Sequence, residues 1–206
     1  EMIHDTLHAT YMAEQTALRL FPQVVVASPI SIGVSEHWMK HIGTLTVRPE
    51  IFCEYVFDVC NSLARAGINN LLILNGHGGN VKPLMRRIDE FRDRLGADVN
   101  IRFQSYWDVY DEGLVQETMD HGRLPGHADE YETSTMMLLA PERIHTEDID
   151  NEPSKVASKQ KGEAPPEERQ ALTQIEINLL RKKVFDFIAD QAAITWNVVA
   201  AEQLVA

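Results

Sequence analysis

Three short runs in this sequence carry residue types that can do chemistry. Asn75-Gly76-His77-Gly78-Gly79-Asn80 sets one imidazole among three glycines. Glycine allows φ > 0 and a close approach of the backbone. Such a run can cradle a phosphate at a helix N-terminus, or it can present His77 into a site as a metal ligand. It lacks the lysine of a P-loop and is not G-x-G-x-x-G, which favours the ligand reading over the phosphate one. A plain strand-to-helix turn with a solvated histidine is the simpler alternative. The second run, His127-Ala128-Asp129-Glu130-Tyr131-Glu132-Thr133-Ser134, places His127 and Glu130 three apart. On a helix they share a face, and imidazole plus carboxylate suits a divalent metal, or a general acid beside a ligand. An acidic first helical turn, favoured by the helix dipole, would look the same. The third run, Ile32-Gly33-Val34-Ser35-Glu36-His37, is followed by His41, Gly43 and Thr44. It reads as a loop after a strand, where binding residues gather, or as ordinary surface. His4, Asp5 and His8 lie just before and within a first helix. Asp5 there is a natural N-cap, and it becomes a metal bridge only with partners from elsewhere in the chain.

The elements that must position these runs follow from periodicity. Residues 6–20 have apolar positions at helical spacing and end at Pro22. Residues 24–28 (VVVAS) are β-branched and read as a buried strand. Pro49 opens a helix whose apolar stripe runs from Ile51 to Leu63, and Gly67 closes it. LLIL within 69–75 predicts a second strand, and the glycine-rich turn leads into a helix at about 81–95. Residues 99–107 predict a third strand, and 126–141 a helix entered at Gly126 and stopped by Pro141. A looser stretch, 108–125, holds His121; 150–170 is polar and rich in proline, and 171–205 is helical in pattern. Strands alternating with helices predict an α/β layered fold with a mainly parallel sheet flanked by helices. In such folds ligands bind beyond the carboxyl ends of the strands, which is where the polar runs fall.

Composition excludes several functions. The 206 residues, 44% apolar and 24% charged, fit one globular domain. A net charge of -12 would be repelled by nucleic acid and by anionic membranes. No apolar run is long enough to span a bilayer. Cys53 and Cys60 are the only cysteines; on one helix they would stand about 10 Å apart, too far to bridge. A reducing cytoplasm is therefore expected. The motifs H-E-x-x-H, C-x-x-C, G-x-S-x-G and Walker A are absent from the sequence.

Taken in order, HDTLHATYMAEQ, PISIGVSEHWMKHIGTLTV, LLILNGHGGN, GHADEYETSTMMLLAP and NEPSKVASKQKG resemble the creatininase family of metal hydrolases over nearly the whole chain. The resemblance implies an α/β fold with a two-metal site at the carboxyl ends of its strands, and a homohexamer. It implies hydrolysis of a C–N bond in a small cyclic amide, amide or formamide. By position it makes Asp5 the bridge between two divalent ions, His77 and Glu130 further metal ligands, and His127 the catalytic proton donor. Glu132 then falls on a carboxylate that supports the ligands, and Glu36 and His37 on the loop that walls the substrate pocket. Zn, Mn or Fe would suit such ligands.

Three departures stand out. The family's first-strand motif, E-x-H-G-x-H, should precede Asp5 and is not in this sequence. The expectation is therefore a single creatininase-like domain over 1–206, preceded in the native polypeptide by a strand and loop of roughly 20–50 residues that supply a Glu and a His. Gly79 stands where creatininase proper has a Glu, which points away from creatinine. His41-Ile42 replaces the usual Phe-Pro, which alters the pocket rim. The rival to an enzyme is a non-catalytic ligand-binding or scaffold subunit of the same family, which missing ligands in the intact chain would favour. A phosphate-binding module ranks last, because Lys82 is the only cation near the glycine-rich turn.

Overall fold

The computed structural model describes residues 4–110, 113, 115, 116, 119, 127 and 129–144. Helix α1 spans His4–Arg19. After a long segment whose regular structure is one 3-10 turn, Glu36–Trp38, α2 spans Pro49–Arg65, with Pro49 in the first turn, where its missing N–H costs nothing. Strand β1 (Asn70–Asn75), helix α3 (Gly78–Leu95) and strand β2 (Asn100–Ser105) follow as one β-α-β unit. The two strands pair in parallel, from Asn70 opposite Asn100 to Asn75 opposite Ser105. A further helix, α4, spans Glu130–Leu139.

The sequence patterns become two apolar clusters. Phe52, Val56 and Cys60 of α2 recur every fourth residue, as do Leu84 and Ile88 of α3, with Phe91 a turn further on; these stripes close against Leu71 and Ile101 of the strands. Met12 of α1, Tyr106 after β2 and Tyr131 of α4 form a second cluster at the carboxyl end of the sheet. Cys53 and Cys60 are both buried and free, and burial pushes the Cys60 thiol up to about 11. Among the described residues no helix is long and apolar enough to cross a membrane.

Three expectations change. Residues 24–28 are not a strand: they run without regular secondary structure, and Val25 is exposed. The β-branched residues are there, but a strand also needs a hydrogen-bonding neighbour. This segment instead lines, together with β1, a cavity of about 1740 Å³. The helix expected from about 81 begins at Gly78, inside the glycine-rich turn. The helix expected from Gly126 begins at Glu130, capped by the Asp129 side chain, which accepts from the Glu132 N–H. The expectations for His121 and for 150–206 lie outside the described residues.

Phe91 is fully buried between α3, the sheet and Phe57. Truncating such a side chain removes its burial energy and leaves a cavity, at a cost of about 3–5 kcal/mol. Phe91→Ala should lower the unfolding free energy in urea by that amount; a loss below about 1 kcal/mol would show that α3 is not anchored this way.

Candidate metal centre

β1 delivers the central histidine. His77 follows the strand end by two residues and sits in extended conformation immediately before α3. Asn75, the last strand residue, is buried and fixes the turn from inside: its Nδ2 donates to the His77 carbonyl and to Ser105 Oγ, both at 3.0 Å, and its Oδ1 accepts the His77 N–H. A Cβ at Gly76 would lie 2.4 Å from the Asp5 carbonyl oxygen. Only glycine there lets the turn close onto the start of α1.

That closure joins His77 Nδ1 to Asp5 Oδ2 at 2.7 Å across 72 residues of sequence. Asp5 is thus not the N-cap of α1; it lies inside the helix, and its other oxygen accepts from His4 Nδ1 at 3.2 Å. His4 Nδ1 in turn lies 3.8 Å from Glu132 Oε1. Ligand atoms of His4, Asp5 and Glu132 all fall within 4.8 Å of one another. His4 is buried, and its Nε2 is without a hydrogen-bond partner among the described residues. Helix α4 is pinned to α1 by Tyr131, whose hydroxyl meets His8 Nε2 at 2.9 Å and also Tyr110 Oη. The next residue, Glu132, is thereby brought against His4.

Of the residues singled out in the sequence, Asp5, His77 and Glu132 converge. Glu130 is not part of this group: it is the first residue of α4, about 200° around the helix from Glu132, so the two carboxylates leave on nearly opposite sides. The i, i+3 pairing of His127 with Glu130 does not form, because His127 precedes the helix. His127 lies at the cavity wall instead, its ring stacked on Trp38 at 4.0 Å between centroids. Glu36 and His37 occupy a short 3-10 turn and are both exposed; His37 stacks over His77 at 5.9 Å, while Ser35, Trp38 and His41 line the cavity. Sequence reasoning assigned no role to His4 or Trp38. A histidine adjacent to a candidate bridging Asp was the available signal for the first.

Charge state follows from these contacts. Burial pushes the Asp5 carboxyl up, but hydrogen bonds from His4 and His77 outweigh it and hold the group well below the usual carboxylate range. Asp5 raises the His77 imidazole above its ordinary value, against burial. Ser35 Oγ also meets His77 Nε2 at 3.1 Å, completing the order Ser–His–Asp. Nε2 lies equally close, at 3.1 Å, to the Val34 carbonyl, which only accepts. Nε2 therefore keeps its hydrogen and cannot take a proton from Ser35. The donor set is one of imidazole and carboxylate oxygen, which fits a divalent ion such as Zn or Mn rather than a nucleophilic serine.

These features define an α/β protein with a His and carboxylate cradle at the carboxyl end of its parallel strands. The Creatininase family model, described as creatinine amidohydrolase, matches residues 2–182, and the chain belongs to that family. It is 35% identical over 156 residues to a 3-dehydro-scyllo-inosose hydrolase of Thermotoga maritima, covering 72% of this chain and 48% of that protein. It is 29% identical over 119 residues to a creatinine amidohydrolase of Pseudomonas putida, covering 54% and 46%. The chain thus spans about half the length of these relatives. A crystal structure of creatinine amidohydrolase superposes with a TM-score of 0.70 at 21% identity, over 92% of this chain and 81% of the other. A manganese form of creatininase gives 0.68 at 22% identity, over 92% and 82%. These likenesses establish the fold.

The Asp5–His77 pair gives a pH signature in protein stripped of metal. The lowered Asp5 pKa contributes stability that is present above its ordinary value near 4 and lost as pH falls through the folded value. The raised His77 pKa contributes stability that is present below about 6.5 and lost as pH rises through its folded value. Both operate between about pH 4 and 6.5. Asp5→Asn should therefore destabilise the chelated protein more at pH 5.5 than at pH 9, read from denaturant midpoints. Equal losses at both values would exclude the pair.

Proposed function

We propose that this chain is a divalent-metal-dependent hydrolase that cleaves a C–N bond of a small cyclic amide, amide or formamide. The observation that carries the reading is the convergence of His4, Asp5 and Glu132 around one point, with His77 bonded to Asp5. Asp5 has an oxygen on each side of the cradle, as a bridging carboxylate requires. Glu132, by its placement, takes the role that position alone gave to Glu130. A divalent ion held there supplies charge that polarises a carbonyl and acidifies water. His127, on the cavity wall and stacked on Trp38, would protonate the leaving nitrogen. Trp38 and His41 shape the rim, and Ser35 and Thr133 complete the wall near the cradle.

The metals are Zn or Mn, in keeping with structures of creatininase described as Mn and as Zn-Zn forms. A further strand beside β1, carrying the Glu and His of the family's first-strand motif, completes the two ion sites. The cavity of about 1740 Å³ lined by β1 supports it. The chain works as a closed homo-oligomer, a hexamer in our reading, in the cytoplasm, where the two free cysteines stay reduced. A second substrate reading comes from the relative that is 35% identical, whose name makes it a hydrolase of an inosose. The ring would then carry two ketones in place of an amide; water added to one carbonyl would be followed by cleavage of the ring C–C bond between them, giving a carboxylate and, after protonation of the enolate that leaves, a ketone.

Elemental analysis of the full native polypeptide should find about two divalent ions per subunit, with chelation abolishing hydrolysis across a panel of cyclic amides, formamides and inososes. His77→Ala should lose metal yet keep its circular dichroism; wild-type metal content in that variant would sink the centre. His127→Ala should keep its metal and lose about 10²–10⁴-fold in turnover. Loss of metal instead would make His127 a ligand. Light scattering should give a closed oligomer, and a monomer at micromolar concentration would refute the hexamer.

A further inference from the structure

The loop before the cradle, Gly33–Ser35, is built against the nitrogen of His77 that faces away from Asp5. The Val34 carbonyl and Ser35 Oγ each stand 3.1 Å from Nε2. Asn80 holds the loop there: its Oδ1 accepts the Val34 N–H at 2.9 Å, and its Nδ2 donates to Asn75 Oδ1 at 3.2 Å. The fit leaves no room to spare. A Cβ at Gly79 would lie 1.9 Å from the Val34 oxygen and 2.7 Å from His77 Nε2. Position 79 is therefore closed to any side chain that might itself bind metal, because this loop fills the space. Backbone and hydroxyl oxygens surround Nε2, while Asp5, with His4 and Glu132 beyond it, lies on the Nδ1 side.

We propose that this loop is a tautomer lock: the Val34 carbonyl and Ser35 hydroxyl hold the Nε2–H of His77 and so commit Nδ1 to the metal, with Asn80 as the positioning residue that seats the loop. A metal-binding imidazole offers one nitrogen and needs its other N–H held, which fixes both tautomer and ring plane. The inference rests on the metal reading above for its ion, but the lock is a property of this chain's own contacts. In this role Ser35 and Asn80 act through His77.

The test uses zinc as the probe on the full native polypeptide, with nitrogen-15 NMR of the histidine rings and His77→Ala to assign the signal. In zinc-loaded wild type, His77 should show a protonated Nε2 and a metal-shifted Nδ1. Asn80→Ala should keep its circular dichroism, bind zinc about 10–100-fold more weakly, in line with other lost supporting partners, and show a mixture of the two tautomers. Should Asn80→Ala fail to fold, Ser35→Ala replaces it: its zinc affinity should fall, and Ser35→Thr should restore it. A zinc-shifted Nε2 in wild type overturns the lock, as does wild-type zinc affinity in both alanine variants. A wild type that takes up no zinc overturns the metal reading instead. The lock is then read on the metal-free protein, where an Nε2–H signal that is lost in Asn80→Ala supports it and a bare Nε2 in wild type overturns it.

Discussion

The contact between Asp5 and His77 is the constraint on which the rest of the site depends. It ties the first turn of α1 to the turn that joins β1 to α3, elements that share little else. A carboxylate and an imidazole half withdrawn from water are costly unless each satisfies the other. The structure around them serves that need: Gly76 allows the two backbones to meet, Asn75 fixes the turn from the strand side, and His4 takes the second oxygen of Asp5. Once α1 is held at its start, Tyr131 and His8 align α4 along it, and Glu132 completes the cradle.

Much of this was legible in the sequence, for local reasons. The stripe of α2 has a period only a helix uses, and LLIL before a glycine-rich turn has few other readings. His77 stood out because glycines on both sides leave an imidazole with no packing role. The run VVVAS misled, because residue type encodes readiness to pair and says nothing of whether a neighbour is at hand. The family resemblance put a ligand at Glu130 and a supporting carboxylate at Glu132; of the two, it is Glu132 whose carboxylate lies within 4.8 Å of ligand atoms of both His4 and Asp5. The helix start was legible only to within four residues, because the Asp129 cap, and not Gly126, begins the helix. His4 was harder still: its adjacency to Asp5 was the one local signal, and adjacency alone does not separate a buried histidine that faces two carboxylates from one that merely packs.

The Ser35–His77–Asp5 chain shows why proximity is not a role. Distances of 3.1 and 2.7 Å in that order match what a nucleophilic serine needs. One further neighbour, the Val34 carbonyl, reverses the reading, because an acceptor-only group at Nε2 requires a hydrogen there. The same three residues that would serve as a triad with a free Nε2 serve here to aim the opposite nitrogen.

The opposite nitrogen then faces a problem that only a cation solves. With Nε2–H fixed, a neutral His77 would present its Nδ1 lone pair to the Asp5 carboxylate at 2.7 Å, and two electron-rich atoms at that distance repel. A proton on Nδ1 removes the repulsion, which is why Asp5 raises the His77 pKa. In the proposed centre a divalent ion would remove it too, and would bring Glu132 and His4 to the same charge. Metal and proton would then compete for one place. On that reading the loop, the glycines and Asn80 act together toward one end: they aim Nδ1 of His77 at the space between α1 and the turn after β1, where a metal would be bound in place of the proton.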